Sequence, residues 1–221
     1  MKAAVIVFPG SNCDRDLAVA LEKAGADVEM VWHKDTALPK GIDLVAVPGG
    51  FSFGDYLRCG AIAANSPICG ELKAHVERGG YALGICNGFQ VLTETGLLPG
   101  ALRRNAGLKY ICKPIELQVE AADTAYTSGY EAGQVITVPI AHHDGNYYVD
   151  DAKLAELRAE GRIAFSYVNN PNGSVADIAG VVSRNRRVLG MMPHPERAMS
   201  KLHGGTDGAK FLLKSLEALV S

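Results

Sequence analysis

The chain has 221 residues, 48% hydrophobic and 21% charged, with 25 glycines and 10 prolines. That composition is globular with many sharp turns, and it excludes disorder, collagen and coiled coil. A formal net charge of −2 leaves no overall positive field to collect phosphate backbones, so a nucleic-acid partner is not expected. A chain of this length buries roughly 70% of its unfolded surface in one core, so a single domain over residues 1–221 is expected.

Lys2 precedes a short apolar run that stops at Pro9. The run is too short for a signal core or a membrane span and reads as a first buried strand, Ala3 to Phe8. Asp14 to Ala24 carries apolar residues at Leu17, Ala20, Leu21 and Ala24, the spacing of a helix, and Val28 to Trp32 is a second strand. Leu44 to Val47 is a third strand, Pro67 to Arg78 a helix with proline in its first turn, and Tyr81 to Ile85 a strand stopped by Cys86. A helix from Phe89 to Glu94 ends before Gly96. Nearly continuous apolar strands joined by helices predict a mostly parallel sheet covered on both faces.

After Gly100 the pattern changes. Ile115 to Val119, Val135 to Ala141 and Asn146 to Val149 alternate or pair as antiparallel segments would. A helix from Ala152 to Glu160, strands at Ile163 to Val168, Ile178 to Ser183 and Val188 to Met191, and a helix from Thr206 to Leu219 complete the chain. The second half is expected to extend the same sheet. The fold class is therefore α/β, with a mostly parallel sheet and an antiparallel extension.

Five cysteines, odd in number and without a Cys-x-x-Cys pair, suit reduced thiols of the cytoplasm better than a disulfide framework or a zinc knuckle. Cys86 stands at the centre of Gly84-Ile85-Cys86-Asn87-Gly88, between a strand and a helix. A tight strained turn there pushes one side chain out of the sheet, and the helix N-terminus favours thiolate over thiol. The same residue also reads as an inert buried cysteine, the reading given to Cys13, Cys59, Cys69 and Cys112. A nucleophilic cysteine needs a base, and the base an orienting group. Pro193-His194-Pro195-Glu196 supplies both after a strand, on a backbone that its prolines restrict; a rigid surface turn is the competing reading. His142-His143-Asp144 offers a rival base, but adjacent histidines on a strand point to opposite faces and do not easily share a metal. Gly49-Gly50-Phe51-Ser52-Phe53-Gly54 can present backbone N–H groups to an anion, yet it is neither a phosphate loop nor a dinucleotide fingerprint. The basic stretches Arg103-Arg104 and Arg184 with Arg186-Arg187 read as a solvated face.

Gly84-Ile85-Cys86-Asn87-Gly88-Phe89-Gln90 together with Pro193-His194-Pro195-Glu196 resembles the class I glutamine amidotransferases. Three longer strings, Pro9 to Asp14, Pro48 to Gly60 and Gly190 to Arg197, are similar to the separate glutaminase subunits of purine biosynthesis, and the likeness covers essentially the whole chain. The resemblance implies a flavodoxin-like three-layer fold and a triad of Cys86 as nucleophile, His194 as base and Glu196 as its orienter. It implies an oxyanion hole from the Gly50 and Asn87 amides, with Gln90 helping to hold L-glutamine. It further implies a thioester, ammonia passed to a synthetase subunit that uses ATP and magnesium, and a small bridging subunit. No cofactor or metal on this chain, and no membrane, is expected. His143 departs from the glycine expected there. A cysteine peptidase or related hydrolase, a binding module and a flavin protein are the other function classes compatible with parts of this pattern.

Overall fold

The computed structural model describes residues Met1–Leu219. In chain order the elements are β1 (Lys2–Val7), α1 (Asp14–Lys23), β2 (Asp27–Trp32), β3 (Leu44–Val47), α2 (Pro67–Glu77), β4 (Tyr81–Ile85), α3 (Asn87–Glu94) and β5 (Ala101–Arg103). They continue with β6 (Ile111–Val119), β7 (Val135–His142), β8 (Asn146–Tyr148), α4 (Asp151–Ala159), β9 (Ile163–Tyr167), β10 (Ile178–Val182), β11 (Val188–Met191) and α5 (Asp207–Leu219). Nine strands form one sheet in the order β2-β1-β3-β4-β11-β10-β9-β6-β7. From β2 to β11 the neighbours are parallel, and from β11 to β7 they are antiparallel.

The two halves differ in burial as their sequences require. Every residue of β3, β10 and β11 is buried, because helices cover both faces of the centre. In β7 buried residues alternate with exposed or half-buried ones, as expected of an extension with one wet face. Helices α1 and α5 pack together on one face, and α2 and α3 lie against the other with the 3-10 turn Ala63–Asn65, giving three layers. Phe8, Phe89, Phe165 and Phe211 are fully enclosed. The Tyr126 hydroxyl, 2.8 Å from the Ala82 carbonyl and 2.9 Å from that of Arg187, finds its partners inside this core.

Two expectations fail. Asn146 to Val149 does not join the main sheet: β8 pairs antiparallel with β5, a three-residue strand too short to show a period, in a separate two-stranded sheet. Cys112 is not a core residue; it lies in the exposed first part of β6, where Cys112, Lys113 and Pro114 all face solvent, while Cys13, Cys59 and Cys69 are buried. Helix α3 also begins two residues before Phe89, directly after the turn at Cys86. Among the described residues no helix is long and apolar enough to cross a membrane.

Candidate active site

Three adjacent parallel strands set the site. Val47 of β3 is in register with Gly84 of β4, and Ile85 of β4 with Met191 of β11. The segments that follow, Gly49-Gly50, Cys86 and His194, therefore emerge side by side at the carboxyl edge of the sheet, where such folds bind ligands.

Cys86 has φ 52° and ψ −106°, a left-handed position that a side-chain-bearing residue adopts only under constraint. The flanking glycines explain how the turn is held. A Cβ on Gly84 would lie 2.5 Å from Leu92 Cδ1 and 2.7 Å from the backbone of Gly88, and a Cβ on Gly88 would collide with the Val47 carbonyl. The turn thus needs glycine on both sides for close packing, and the Cys86 N–H is anchored to the Met191 carbonyl at 2.8 Å. Its sulfur lies 3.7 Å from the Ala141 carbonyl.

His194 is 1% exposed and Glu196 3%, so neither belongs to a surface turn. Glu196 Oε1 lies 2.6 Å from His194 Nδ1; the carboxylate accepts, which fixes the proton on Nδ1 and leaves Nε2 without a hydrogen-bond partner, beside Cys86. Burial disfavours a charged His194 ring, but Glu196 and Cys86 outweigh it and raise its proton affinity above that of an ordinary imidazole. A Cβ on Gly49 would stand 2.7 Å from His194 Cε1, 3.3 Å from Cys86 Cβ and 3.4 Å from Cys13 Sγ. His194 and Cys86, and Cys13 with them, converge on that one glycine.

Gly50 has φ +119°, and a side chain there would meet the Asn12 backbone nitrogen at 2.6 Å. Among the described residues its N–H makes no hydrogen bond, whereas the Phe51 N–H donates to the Gly10 carbonyl at 3.0 Å. The Asn87 N–H is the first of α3, where no carbonyl lies a turn earlier to receive it. Both are available to an oxyanion. Gln90 is buried with its amide fully engaged: Oε1 accepts from Asn87 Nδ2 at 2.8 Å and Nε2 donates to the Asp144 carbonyl at 2.7 Å. It ties α3 to the loop after β7.

Several neighbours escaped sequence reasoning. Arg197 Nη2 donates to Cys13 Sγ at 2.9 Å and its Nε to Asp16 at 3.3 Å. Burial still pushes the Cys13 thiol up to about 12, although Arg197 opposes it. Asn12, Cys13, Gly50, Tyr110, His194 and Arg197 are among the residues enclosing a cavity of about 80 Å³. The available signal was position: Asn12-Cys13 follows β1 and Arg197 follows Glu196, both at the carboxyl edge. Larger hollows of about 490 Å³ and 780 Å³ lie away from Cys86, and one of about 540 Å³ touches Glu196 and Arg197 from the side of α1.

His142, the rival base, is buried and its Nδ1 bonds Asn105 and not Glu196. Asn105 Nδ2 donates to the Lys109 and His142 carbonyls at 2.8 and 3.0 Å, so its Oδ1 accepts from His142 Nδ1 and from the Gly145 N–H, both at 3.0 Å. His143 is half-exposed and turns to the Leu108 carbonyl at 3.2 Å, away from His142 as expected. Burial, and next the charge of His194, lower the His142 pKa from 6.5 to about 4, partly offset by its backbone hydrogen bond and Asp144. The unfolded chain therefore takes up a proton that the native ring refuses as pH falls from about 6.5 to about 4, and stability drops across that window. Urea unfolding of the parent and of His142→Gln at pH 7 and pH 4.5 checks this; the parent should lose about 2 kcal/mol more than the variant over the interval.

The architecture is that of the glutamine amidotransferase fold. Residues 1–207 match the CobB/CobQ-like glutamine amidotransferase domain family, and the chain belongs to that family. It is 71% identical over 221 residues to the phosphoribosylformylglycinamidine synthase subunit PurQ of Ruegeria sp. (strain TM1040), covering all of this chain and 99% of that one. Over 208 residues it is 73% identical to PurQ of Ruegeria pomeroyi, covering 94% of each. Among solved structures, PurLQS from Thermotoga maritima superposes with TM-score 0.90 at 45% identity, covering 98% of this chain and 97% of that chain. The glutaminase domain of Trypanosoma brucei CTPS with bound acivicin, at TM-score 0.64 and 15% identity over all of this chain and 94% of that one, shares the fold.

Proposed function

We propose that this chain is the glutaminase subunit of phosphoribosylformylglycinamidine synthase, and that Cys86, His194 and Glu196 carry its chemistry. The observation that carries the reading is the buried His194–Glu196 pair at 2.6 Å set beside a strained cysteine, in a chain 71% identical to a PurQ subunit. The Cys86 thiol passes its proton to His194 Nε2, the thiolate attacks the side-chain carbonyl carbon of L-glutamine, and the oxygen becomes an anion facing the Gly50 and Asn87 N–H groups. His194 Nε2 protonates the nitrogen as the C–N bond breaks, releasing ammonia and leaving a glutamyl thioester. Water, losing a proton to His194 Nε2, then cleaves the thioester to glutamate and releases the Cys86 thiolate. Gln90 holds the pocket wall against which the glutamine lies. Ammonia passes to a synthetase subunit, which spends ATP with magnesium to convert formylglycinamide ribonucleotide into the amidine in the cytoplasm, and a small third subunit bridges the two. No cofactor is assigned to this chain itself.

The isolated chain is expected to be a poor glutaminase. Its nucleophile is 5% exposed, and Gly50 sits where a glycine can reorient its N–H for little energy. A missing donor costs about 3 kcal/mol, or ~100-fold in rate. Steady-state glutamate release by the chain alone, then with synthetase, small subunit and their ligands, tests both points. A rise in kcat/KM of at least tenfold is expected; a smaller rise means that the free subunit is already organised, and no glutamate under either condition overturns the function.

A further inference from the structure

We propose that Cys86 and Cys13 form a reversible redox pair: hydrogen peroxide oxidises Cys86, and Cys13 closes a disulfide on it that stops glutamine cleavage and shields the nucleophile from further oxidation. The proposal rests on the reading of Cys86 as the nucleophile. The two cysteines, both unpaired, reach one place from different elements, Cys86 from the turn after β4 and Cys13 from the residue before α1. Between them lies Gly49: the point where a side chain of residue 49 would begin is 3.3 Å from Cys86 Cβ and 3.4 Å from Cys13 Sγ. Because residue 49 is glycine, no side-chain atom occupies that space, and rotation of the two cysteine side chains toward it brings the sulfurs together. Cys13 is 3% exposed and Cys86 5%, so neither is open to the thiol of another protein, whereas peroxide is smaller than the amide that must reach Cys86.

The other thiols are placed differently. Cys69 Sγ donates to the Ala63 carbonyl at 3.2 Å, and Cys112 is exposed on β6. Cys59 is kept protonated by burial and then by the charges of Asp55 and Asp144. Cys13 instead meets Arg197 Nη2 at 2.9 Å. Burial keeps it a thiol at rest, and the guanidinium supports the negative charge that gathers on its sulfur during attack. In the first step His194 Nε2 holds the Cys86 proton and the thiolate attacks one oxygen of hydrogen peroxide. The O–O bond breaks, the sulfur becomes a sulfenic acid, and the departing hydroxide takes the proton from His194 to leave as water. In the second, the Cys13 sulfur attacks that of Cys86. The S–O bond breaks as the S–S bond forms, and the Cys13 proton leaves with the hydroxyl as a second water. Two thiols are thus oxidised to one disulfide while one peroxide is reduced to two waters. A thiol reductant reverses the disulfide by exchange, but a sulfenic acid left open to more peroxide goes on to sulfinic acid, which thiols do not reduce.

The test oxidises the full chain with excess hydrogen peroxide, removes the excess with catalase, and divides the sample between mass spectrometry and assay with untreated synthetase and small subunit. Peptide mapping without reductant should show the segment containing Cys86 joined to that containing Cys13 within one chain. Glutamate release should fall about tenfold or more, ammonium-fed synthesis should stay within about twofold of the untreated value, and dithiothreitol should restore most of the lost glutamate release. Cys13→Ala, compared with its own untreated rate, should be inactivated by the same dose but recover about fivefold less, with Cys86 found as sulfinic acid. Cys13→Ser, closer in size, takes its place should the alanine variant lose its melting transition. A parent in which Cys86 is found only as sulfinic acid, or joined to Cys59 or to another chain, overturns the pair, and so does equal recovery with and without Cys13. An untreated parent that releases no glutamate refutes the glutaminase reading instead, and the peptide map still decides whether the two sulfurs join.

Discussion

Replacing Cys86 by alanine abolishes glutamine-dependent amidine synthesis by the assembled enzyme and leaves synthesis fed with ammonium salts at the parent rate. The residue sits at φ 52° between glycines that leave no space for a side chain, so its substitution removes the sulfur without disturbing the packing that shapes the turn. Alanine accepts the same backbone conformation at a similar cost, because the strain is set by Cβ. The thiolate is needed only to cleave the amide, and no other buried thiol can replace it: Cys13, the nearest, is held protonated and is tied to Arg197. The loss in glutamine-dependent rate should exceed a hundredfold. Retention of more than a hundredth of the parent rate in a variant free of contaminating glutaminase refutes the nucleophile.

His194→Ala should lose more activity than Glu196→Ala, each measured in the same complex. Removing the imidazole deletes the group beside Cys86 that can both take and return a proton, a contribution of about 10²–10⁴. Removing the carboxylate leaves a ring that still visits the productive pose, although its tautomer and orientation are no longer fixed by the 2.6 Å contact. Equal or reversed losses contradict this division of roles. Stability provides a second readout. Glu196 helps raise the proton affinity of His194 above its unfolded value, so the native ring retains a proton that the unfolded chain releases. That contribution is fully present below the unfolded pKa of about 6.5 and fades as pH rises through the higher native value. The stability gap between parent and Glu196→Ala should therefore be widest in mildly acidic solution and shrink toward alkaline pH.

The central parallel strands were legible because each is a short, wholly apolar run bounded by a helix-spaced segment; β3, β4 and β11 fall on the boundaries expected from the residues alone. Cys86 and His194 were legible for a related reason, since glycines and prolines around a reactive side chain record backbone constraint in the sequence. The β5–β8 pair was not, because three residues carry no period and its partner strands lie over forty positions apart. Cys112 was misjudged because nothing in a cysteine itself says that the strand end it occupies runs beyond the covered part of the sheet, with Lys113 and Pro114 exposed beside it. Arg197 and Cys13 were invisible as a pair, being joined only when β1 and β11 come to the same edge; nothing local in either segment announces the other. The Asn105–His142–Gly145 cluster likewise depends on contacts forty residues apart.

Strand β11 is inserted beside β4, more than one hundred residues earlier in the chain. During synthesis β4 emerges with β3 on one side and nothing on the other, and its free edge presents unpaired backbone N–H and C=O groups in an apolar strand. That edge stays open until residues 188–191 leave the ribosome, so closure of the sheet is a late, long-range event and slow by its topology. The same event brings His194 to Cys86. A nascent or truncated chain is thereby denied glutaminase chemistry, and the interval in which it is inactive is also the one in which its exposed strand is most prone to pair with the wrong neighbour.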